Sequence, residues 1–471
     1  MRFLKIALAT FLAISPALGQ AQKEQSLPKD LPPYGPQPPL HVPEVQVSKL
    51  GNGLTVWLIA QPGLPRVAMS VAIRGGMAAD PKDRPGLSEL LANTLNQGTK
   101  SRTARQIAEG LQGAGGDFDA NSGRDGVTIG IVALPEKTEV ALPILGDILE
   151  NASFPDSEVE LAKRNLADSL KQRESQPRFL ANRALAKAMF GDNPYSVVAP
   201  TQESVANTSA AELRQEFSRR FRPDQALFVA VGAFDASKMA ALIRDNLGSW
   251  KSSPSEPVAE TPAPAPAAPH EVFLVPRPGS VQTTLVLGAF GPLESSTDYE
   301  SAEVANAIYG GTFSSRLVSN IREDKGYTYS PGSSLETFRE AGLLRTRADV
   351  RNAVTGPSFN EIVYELNRMA TTSPTEEELT KAKRSLLGIQ AILLQLWPAV
   401  ARQLADNWMQ GLPPDQISRE GRQIEKVTAA DVDAASKKYF PAARMTVVAV
   451  GEEKLIRGAF APFGIPIQLA P

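Results

Sequence analysis

Arg322 and Tyr329 stand seven positions apart, on either side of Gly326. A guanidinium and a phenol are both hydrogen-bond donors, suited to an oxygen that carries or gains negative charge. They belong to one continuous stretch. Gly310-Gly311-Thr312-Phe313-Ser314-Ser315-Arg316-Leu317 runs on to Ile321-Arg322-Glu323-Asp324-Lys325-Gly326-Tyr327-Thr328-Tyr329-Ser330. Leu317, Val318 and Ile321 recur at helical spacing and should pack one face, so Arg316 and Arg322 must find water or anions. Gly326 can end the helix and send the chain into a strand. A second stretch, Gly86 to Leu95, places Leu87, Leu90, Leu91 and Leu95 on one helical stripe and Glu89, Ala92 and Asn93 on the other face. Taken alone, each stretch is an ordinary amphipathic helix. The carboxylates Glu89, Asp117 and Asp119 are further candidates for chemistry, but nothing in their spacing demands a metal.

Composition narrows the classes. At 471 residues, 42% hydrophobic and 21% charged, the chain is long enough for two to four domains with substantial cores. A formal charge of −2 gives no electrostatic footprint for nucleic acid. The absence of cysteine rules out disulfides, thiolate zinc sites and a cysteine nucleophile. The two histidines, His41 and His270, both sit in Pro-rich surroundings and cannot together make a histidine zinc site. Residues 1–21 read as a secretory signal, with Arg2 and Lys5, an apolar run from Ile6 to Ile14, and small residues before Gly19 or Ala21. A retained anchor is the alternative. No later segment reaches about 18 uninterrupted apolar residues, so no membrane span is expected once the signal is removed. The expected location is outside the cytoplasm, in the periplasm.

The positioning elements follow in order. Residues 22–44 form a Pro-rich leader. Val47–Leu50, a Gly51-Asn52-Gly53 turn and Leu54–Ile59 read as a hairpin, and Val67–Ile73 as a strand. Helical patterns cover 86–96, 102–114, 136–151, 156–174 and much of 178–220. Strands are expected at Gly126–Val132 and Leu227–Gly232. Residues 252–270 are a Pro/Ala-rich linker, dividing an N-terminal domain (45–251) from a C-terminal one (271–471). Beyond it come strands at Val272–Val275 and Thr283–Phe290, a helix over 298–309, a long helical region from 357 to 436, and a strand at Met445–Gly451. The signature Phe221-Arg222-Pro223…Val229-Ala230-Val231-Gly232 matches Phe440-Pro441…Val448-Ala449-Val450-Gly451, with the Phe and the strand residues offset by 219 (451 − 232) and the Pro by 218 (441 − 223), which suggests an internal duplication.

The two chemical stretches, with Arg74-Gly75-Gly76 before one and Asn96-Gln97-Gly98-Thr99 after it, resemble the M16 (pitrilysin-like, or inverzincin) peptidases. In that family the first helix reads G-L-x-H-x-x-E-H; the two His bind zinc and the Glu acts on the metal-bound water. Here those positions hold Glu89, Ala92 and Asn93. Aligning on Arg173-Glu174…Pro177 puts Ser169 at the third ligand, 76 positions beyond Asn93 (169 − 93). None of these is a family ligand. The second stretch matches the family's G-G-x-x-S-R-L-…-R-E-x-x-G-x-x-Y pattern, so Arg322 and Tyr329 match its substrate-binding R/Y pair. Tyr327 is a near neighbour that a shift of alignment would exchange for Tyr329. The family also binds extended peptide at an edge strand around an Asn-Ala pair; Phe118, Asp119 and Ala120 occupy that place, with an ordinary internal strand as the alternative.

The resemblance covers roughly residues 45–465. It implies an α+β fold of two homologous halves, each an antiparallel sheet packed with helices, in a clam-shell arrangement. A missing zinc motif beside an intact R/Y pair implies a non-catalytic subunit, with no metal of its own, that completes a zinc-bearing M16 partner in cleaving short or unfolded peptides. An inert peptide-binding or scaffold protein of the same fold is the alternative.

Overall fold

Two runs of almost wholly apolar residues, Val67–Arg74 and Ala226–Gly232, are buried along nearly their whole length. Strands that read this way are covered on both faces. They form the middle of the first of two six-stranded sheets. The computed structural model describes residues 43–254, 256–265 and 271–471; the expected signal, most of the Pro-rich leader, His41 and His270 lie outside the described residues. The strands are β1 Gln46–Lys49, β2 Thr55–Ala60, β3 Val67–Arg74, β4 Phe118–Ser122, β5 Gly126–Ala133 and β6 Ala226–Gly232, followed by β7 Val272–Pro276, β8 Gln282–Gly291, β9 Gly332–Phe338, β10 Ala341–Arg351, β11 Thr446–Gly451 and β12 Ile467–Leu469.

The first sheet has the order β1-β2-β6-β3-β5-β4 and the second β12-β7-β11-β8-β10-β9. The second repeats the first strand for strand, except that β12, from the C-terminus, takes the place of β1. The predicted hairpin is present, with Gln46 to Lys49 paired antiparallel to Leu58 to Thr55. Neither sheet is wholly antiparallel, however. β2 runs parallel to β6, and β7 parallel to β11 and β12. β2 and β6 are separated by most of the elements of their half, and so long a connection can return the chain in either direction.

Each sheet buries one face against its own helices. On the other face the two halves exchange a helix. The helix Pro177–Phe190 leaves the first half and lays Ala181, Leu185 and Met189 on Val286, Leu343, Val448 and Val450 of the second sheet. The helix Trp397–Met409 does the reverse, placing Trp397, Val400, Ala401 and Leu404 on Trp57, Ala68, Ala72 and Val229. The two helices begin 220 residues apart (397 − 177), each with Pro in its first turn. Pro is suited to that position because the first-turn amides have no helical acceptor to lose. Both apolar faces are thus filled by the partner half, which is the structural counterpart of the internal repeat.

A polar stitch joins the halves as well. The Tyr195 hydroxyl donates to Asp125 at 2.7 Å and accepts from the Glu340 N–H at 3.2 Å, and the Arg339 N–H donates to Asp125 at 2.9 Å. Within the described part of the linker, residues 256–265 carry no helix or strand. Glu260 pairs with Arg339 at 2.7 Å, and the Pro262 carbonyl accepts from Asn193 at 2.8 Å. No single helix among the described residues is long and apolar enough to cross a membrane.

Gly326 is expected to send the chain into a strand, but the sequence sets that strand no bounds and names no hairpin where β9 and β10 pair. The long helical region of the second half is five helices, broken at Thr372, Leu394, Gln410 and Val427.

Candidate functional site

The helix Leu87–Thr94 starts from Gly86, whose φ of +77° is left-handed; a Cβ there would lie 2.4 Å from Pro200. Only glycine fits that combination. Leu87, Leu90, Leu91 and Leu95 are buried in the core of the first half. Asp80 ties down the helix start by accepting from the Ser88 N–H and hydroxyl, and it pairs with the buried Arg220 at 2.8 Å. Burial pushes the Asp80 carboxyl up to about 6 against the pull of Arg220 and Ser88.

The outward face of this helix meets the helix Asp156–Glu174 across a cavity of about 470 Å³. Glu89, Asn93 and Ser169 all line it, together with Gln97, Glu158 and Asn165. The positions matched to zinc ligands therefore lie around one space, as aligned. Ala92 does not face it; its methyl is buried in the core. The donors do not suit zinc, which favours imidazole, thiolate and carboxylate. Glu89 is the one strong ligand among them, and its carboxylate accepts from Arg173 at 2.8 Å. A guanidinium thus already sits against that carboxylate. Among the described residues no cluster of three or more His, Cys, Asp or Glu is arranged to hold a metal ion.

Phe118, Asp119 and Ala120 lie on β4, which is the edge strand of its sheet and pairs with β5 through Asp119 opposite Gly130. Phe118 and Ala120 turn toward the core while the Asp119 carboxylate is exposed and accepts from Asn121 at 2.7 Å. Ser122, at the end of the strand, donates to Ser88 at 2.8 Å and links this edge to the helix Leu87–Thr94.

In the second half Arg316 and Arg322 part company. Arg316 is buried and makes a two-point pair with Glu378, at 2.7 and 2.9 Å. Those bonds hold the Glu378 carboxyl down at about 2. Arg316 is therefore a structural cation, not a surface one. Arg322 lies between two rings, its guanidinium carbon 4.4 Å from the centroid of Phe313 and 4.9 Å from that of Tyr329. Gly326, at φ +59°, turns the chain as expected, and the Thr328 hydroxyl donates to the Asp349 carbonyl at 2.7 Å. That anchor leaves the next residue free: Tyr329 is 81% exposed. Of the two candidate tyrosines, it is Tyr329 that stacks on Arg322.

Arg322 and Tyr329 line a second cavity of about 470 Å³, with Gly310, Gly311, Phe313, Ser330 and the start of β9. Glu336, Arg345 and Arg347 complete its charged lining. The sequence reading missed Phe313, Arg345 and Arg347. The alternation Leu344, Thr346, Ala348, Val350 inward against Arg345, Arg347, Asp349, Arg351 outward was the available signal for the last two.

A family model described as Insulinase (Peptidase family M16) matches residues 55–199, and one described as Peptidase M16 inactive domain matches residues 207–386. An uncharacterized zinc protease of Mycobacterium leprae is similar at 26% identity over 82% of this chain and 87% of its own. One from Rickettsia felis is similar at 24% identity, over 84% and 94%. Among solved structures, a peptidase M16 inactive domain from Pseudomonas fluorescens is similar with a TM-score of 0.80 at 23% identity, covering 87% of this chain and 98% of that one. A protease from Helicobacter pylori is similar with a TM-score of 0.79 at 18% identity, covering 87% and 100%.

Proposed function

The chain belongs to the M16 peptidase family, and from that premise we propose that it is a non-catalytic subunit supplying the Arg322–Tyr329 pair to a zinc-bearing M16 partner. The observation that carries this reading is the contrast between the two cavities. One keeps a guanidinium and an exposed phenol side by side, while the other has an ion pair, an amide and a hydroxyl where zinc ligands would be.

In the proposed complex the zinc and its water belong to the partner. This chain binds the substrate backbone. Arg322, packed against the rings of Phe313 and Tyr329, donates to a peptide carbonyl oxygen, and the Tyr329 hydroxyl donates to the same oxygen as its charge grows. The edge of β4 offers unpaired backbone groups to an extended segment, which selects short or unfolded peptides over folded ones. The expected signal places the complex in the periplasm.

The test is association. The purified chain, mixed with the zinc-bearing M16 protein of the same source, should elute with it from a sizing column as one species that contains both chains. Two independent peaks at all ratios would remove the heteromer from the proposal. A second reading, an inert peptide-binding or scaffold protein, is favoured by the β4 edge, since strand addition needs neither zinc nor Arg322.

A further inference from the structure

The cavity beside Arg322 and Tyr329 is unbalanced in charge. Its lining holds three guanidinium groups, Arg322, Arg345 and Arg347, against the single carboxylate of Glu336. Glu336 is already taken, since it pairs with Arg345, which also donates to Asn182 at 3.3 Å. Asp349, just outside, is likewise taken by Arg178, whose guanidinium reaches Ser330 at the cavity rim at 3.3 Å. Arg322 has only Glu323, more than half exposed, at 3.1 Å.

Arg347 stands apart from all of these. It is exposed, and its guanidinium makes no hydrogen bond or ion pair among the described residues. Its neighbour across the β9–β10 ladder is Gly332, so no side chain on β9 covers it. A guanidinium left in that state offers a planar, two-point donor matched to a carboxylate. The cavity is also walled by Gly310, Gly311 and Gly332, which leave the backbone accessible.

We infer that this cavity binds a carboxylate of the peptide held by Arg322 and Tyr329, with Arg347 as its specificity-determining contact. The carboxylate is an acidic side chain or the peptide's own C-terminus, as both present the same two oxygens. The inference rests on the proposed peptide-binding role and adds to it the class of peptide.

The experiment is fluorescence anisotropy on the full chain with three unstructured peptides of equal length. One is neutral and amidated, one is amidated but carries an internal Asp or Glu, and one is neutral with a free C-terminus. At least one carboxylate peptide should bind roughly 10- to 100-fold more tightly than the neutral amidated peptide, the range for a hydrogen bond to a charged group. Which one does so identifies the source. Arg347→Gln should abolish that advantage, so that the carboxylate and neutral peptides bind alike, while Arg347→Lys should restore part of it. Equal binding of all three peptides, or an advantage that survives Arg347→Gln, overturns the inference and leaves peptide binding standing. Binding of none of them overturns the parent reading, and this one with it.

Discussion

The Arg322 guanidinium lies over the Tyr329 ring, 4.9 Å from its centroid, although the two stand seven positions apart across a glycine turn. The Phe313 ring also packs against this guanidinium, its centroid at 4.4 Å. Each such contact is worth about 0.5–1 kcal/mol at an exposed site. Two of them are enough to fix a long side chain that would otherwise sample many rotamers. Phe313→Ala should therefore weaken substrate turnover in the complex by several-fold without touching the donors themselves. Arg322→Lys, which keeps the charge and loses the plane, should cost more than Phe313→Ala. Steady-state rates of the two variants check both statements; equal rates for wild type and Arg322→Lys would mean that charge alone matters.

Zinc content follows from the first cavity. With Glu89 engaged by Arg173 and an amide and a hydroxyl, Asn93 and Ser169, at the other two aligned positions, the purified chain should hold far less than one zinc per molecule after equilibration with micromolar metal. Because Glu89, Asn93 and Ser169 line one space, Glu89→His, Asn93→His and Ser169→Glu combined should gain zinc. Elemental analysis of both proteins decides it, and stoichiometric zinc in the wild type would show a metal site elsewhere.

The exchanged helices make the two halves one folding unit. Leu404, fully buried against the first sheet, and Leu185, 1% exposed against the second, should each cost about 2–5 kcal/mol when cut to Ala. Either change should lower the midpoint of a single denaturation transition reported by probes in both halves. Two separate transitions would show that the halves fold independently.

A buried acidic group sets the pH response. Burial, with Glu420, Glu294 and Glu300 as neighbours, pushes the Glu303 carboxyl well above its usual range, and Glu420 is raised for the same reasons. One Glu303 oxygen is buried without a hydrogen-bond partner. A carboxyl whose pKa rises on folding stabilises the fold fully below its ordinary value of 4.5, and that stabilisation is lost as pH climbs through the raised value. Glu378, held at about 2, acts in the opposite sense, and its contribution fades only as pH falls toward 2. Between pH 5 and 8 the melting temperature should therefore fall. Glu303→Gln should raise it at pH 8 and flatten the trend; an unchanged slope in that variant would show that the cluster does not control it.

Much of the fold was legible because its signals are local. Val67–Arg74 and Ala226–Gly232 announce buried strands by composition, and Leu87, Leu90, Leu91 and Leu95 announce a helix by period. β9 and β10 escaped because the outward positions of β10 carry Arg345, Arg347, Asp349 and Arg351, so the hairpin reads as polar loop. Arg316 had to find water or an anion, but no local pattern names Glu378, 62 residues away, as that anion. The helix exchange is a long-range arrangement that no local pattern encodes. The same holds for the Arg173–Glu89 pair, which only the folded cavity brings together.

The most direct measurement is peptide hydrolysis by the chain alone, by the zinc-bearing M16 partner alone and by their mixture. The account predicts activity in the mixture only, falling about 10²- to 10³-fold with Arg322→Ala, the cost of removing one donor to a developing oxyanion. Tyr329→Phe should lower it as well. Hydrolysis by this chain alone, or a mixture indifferent to Arg322→Ala, would contradict the account.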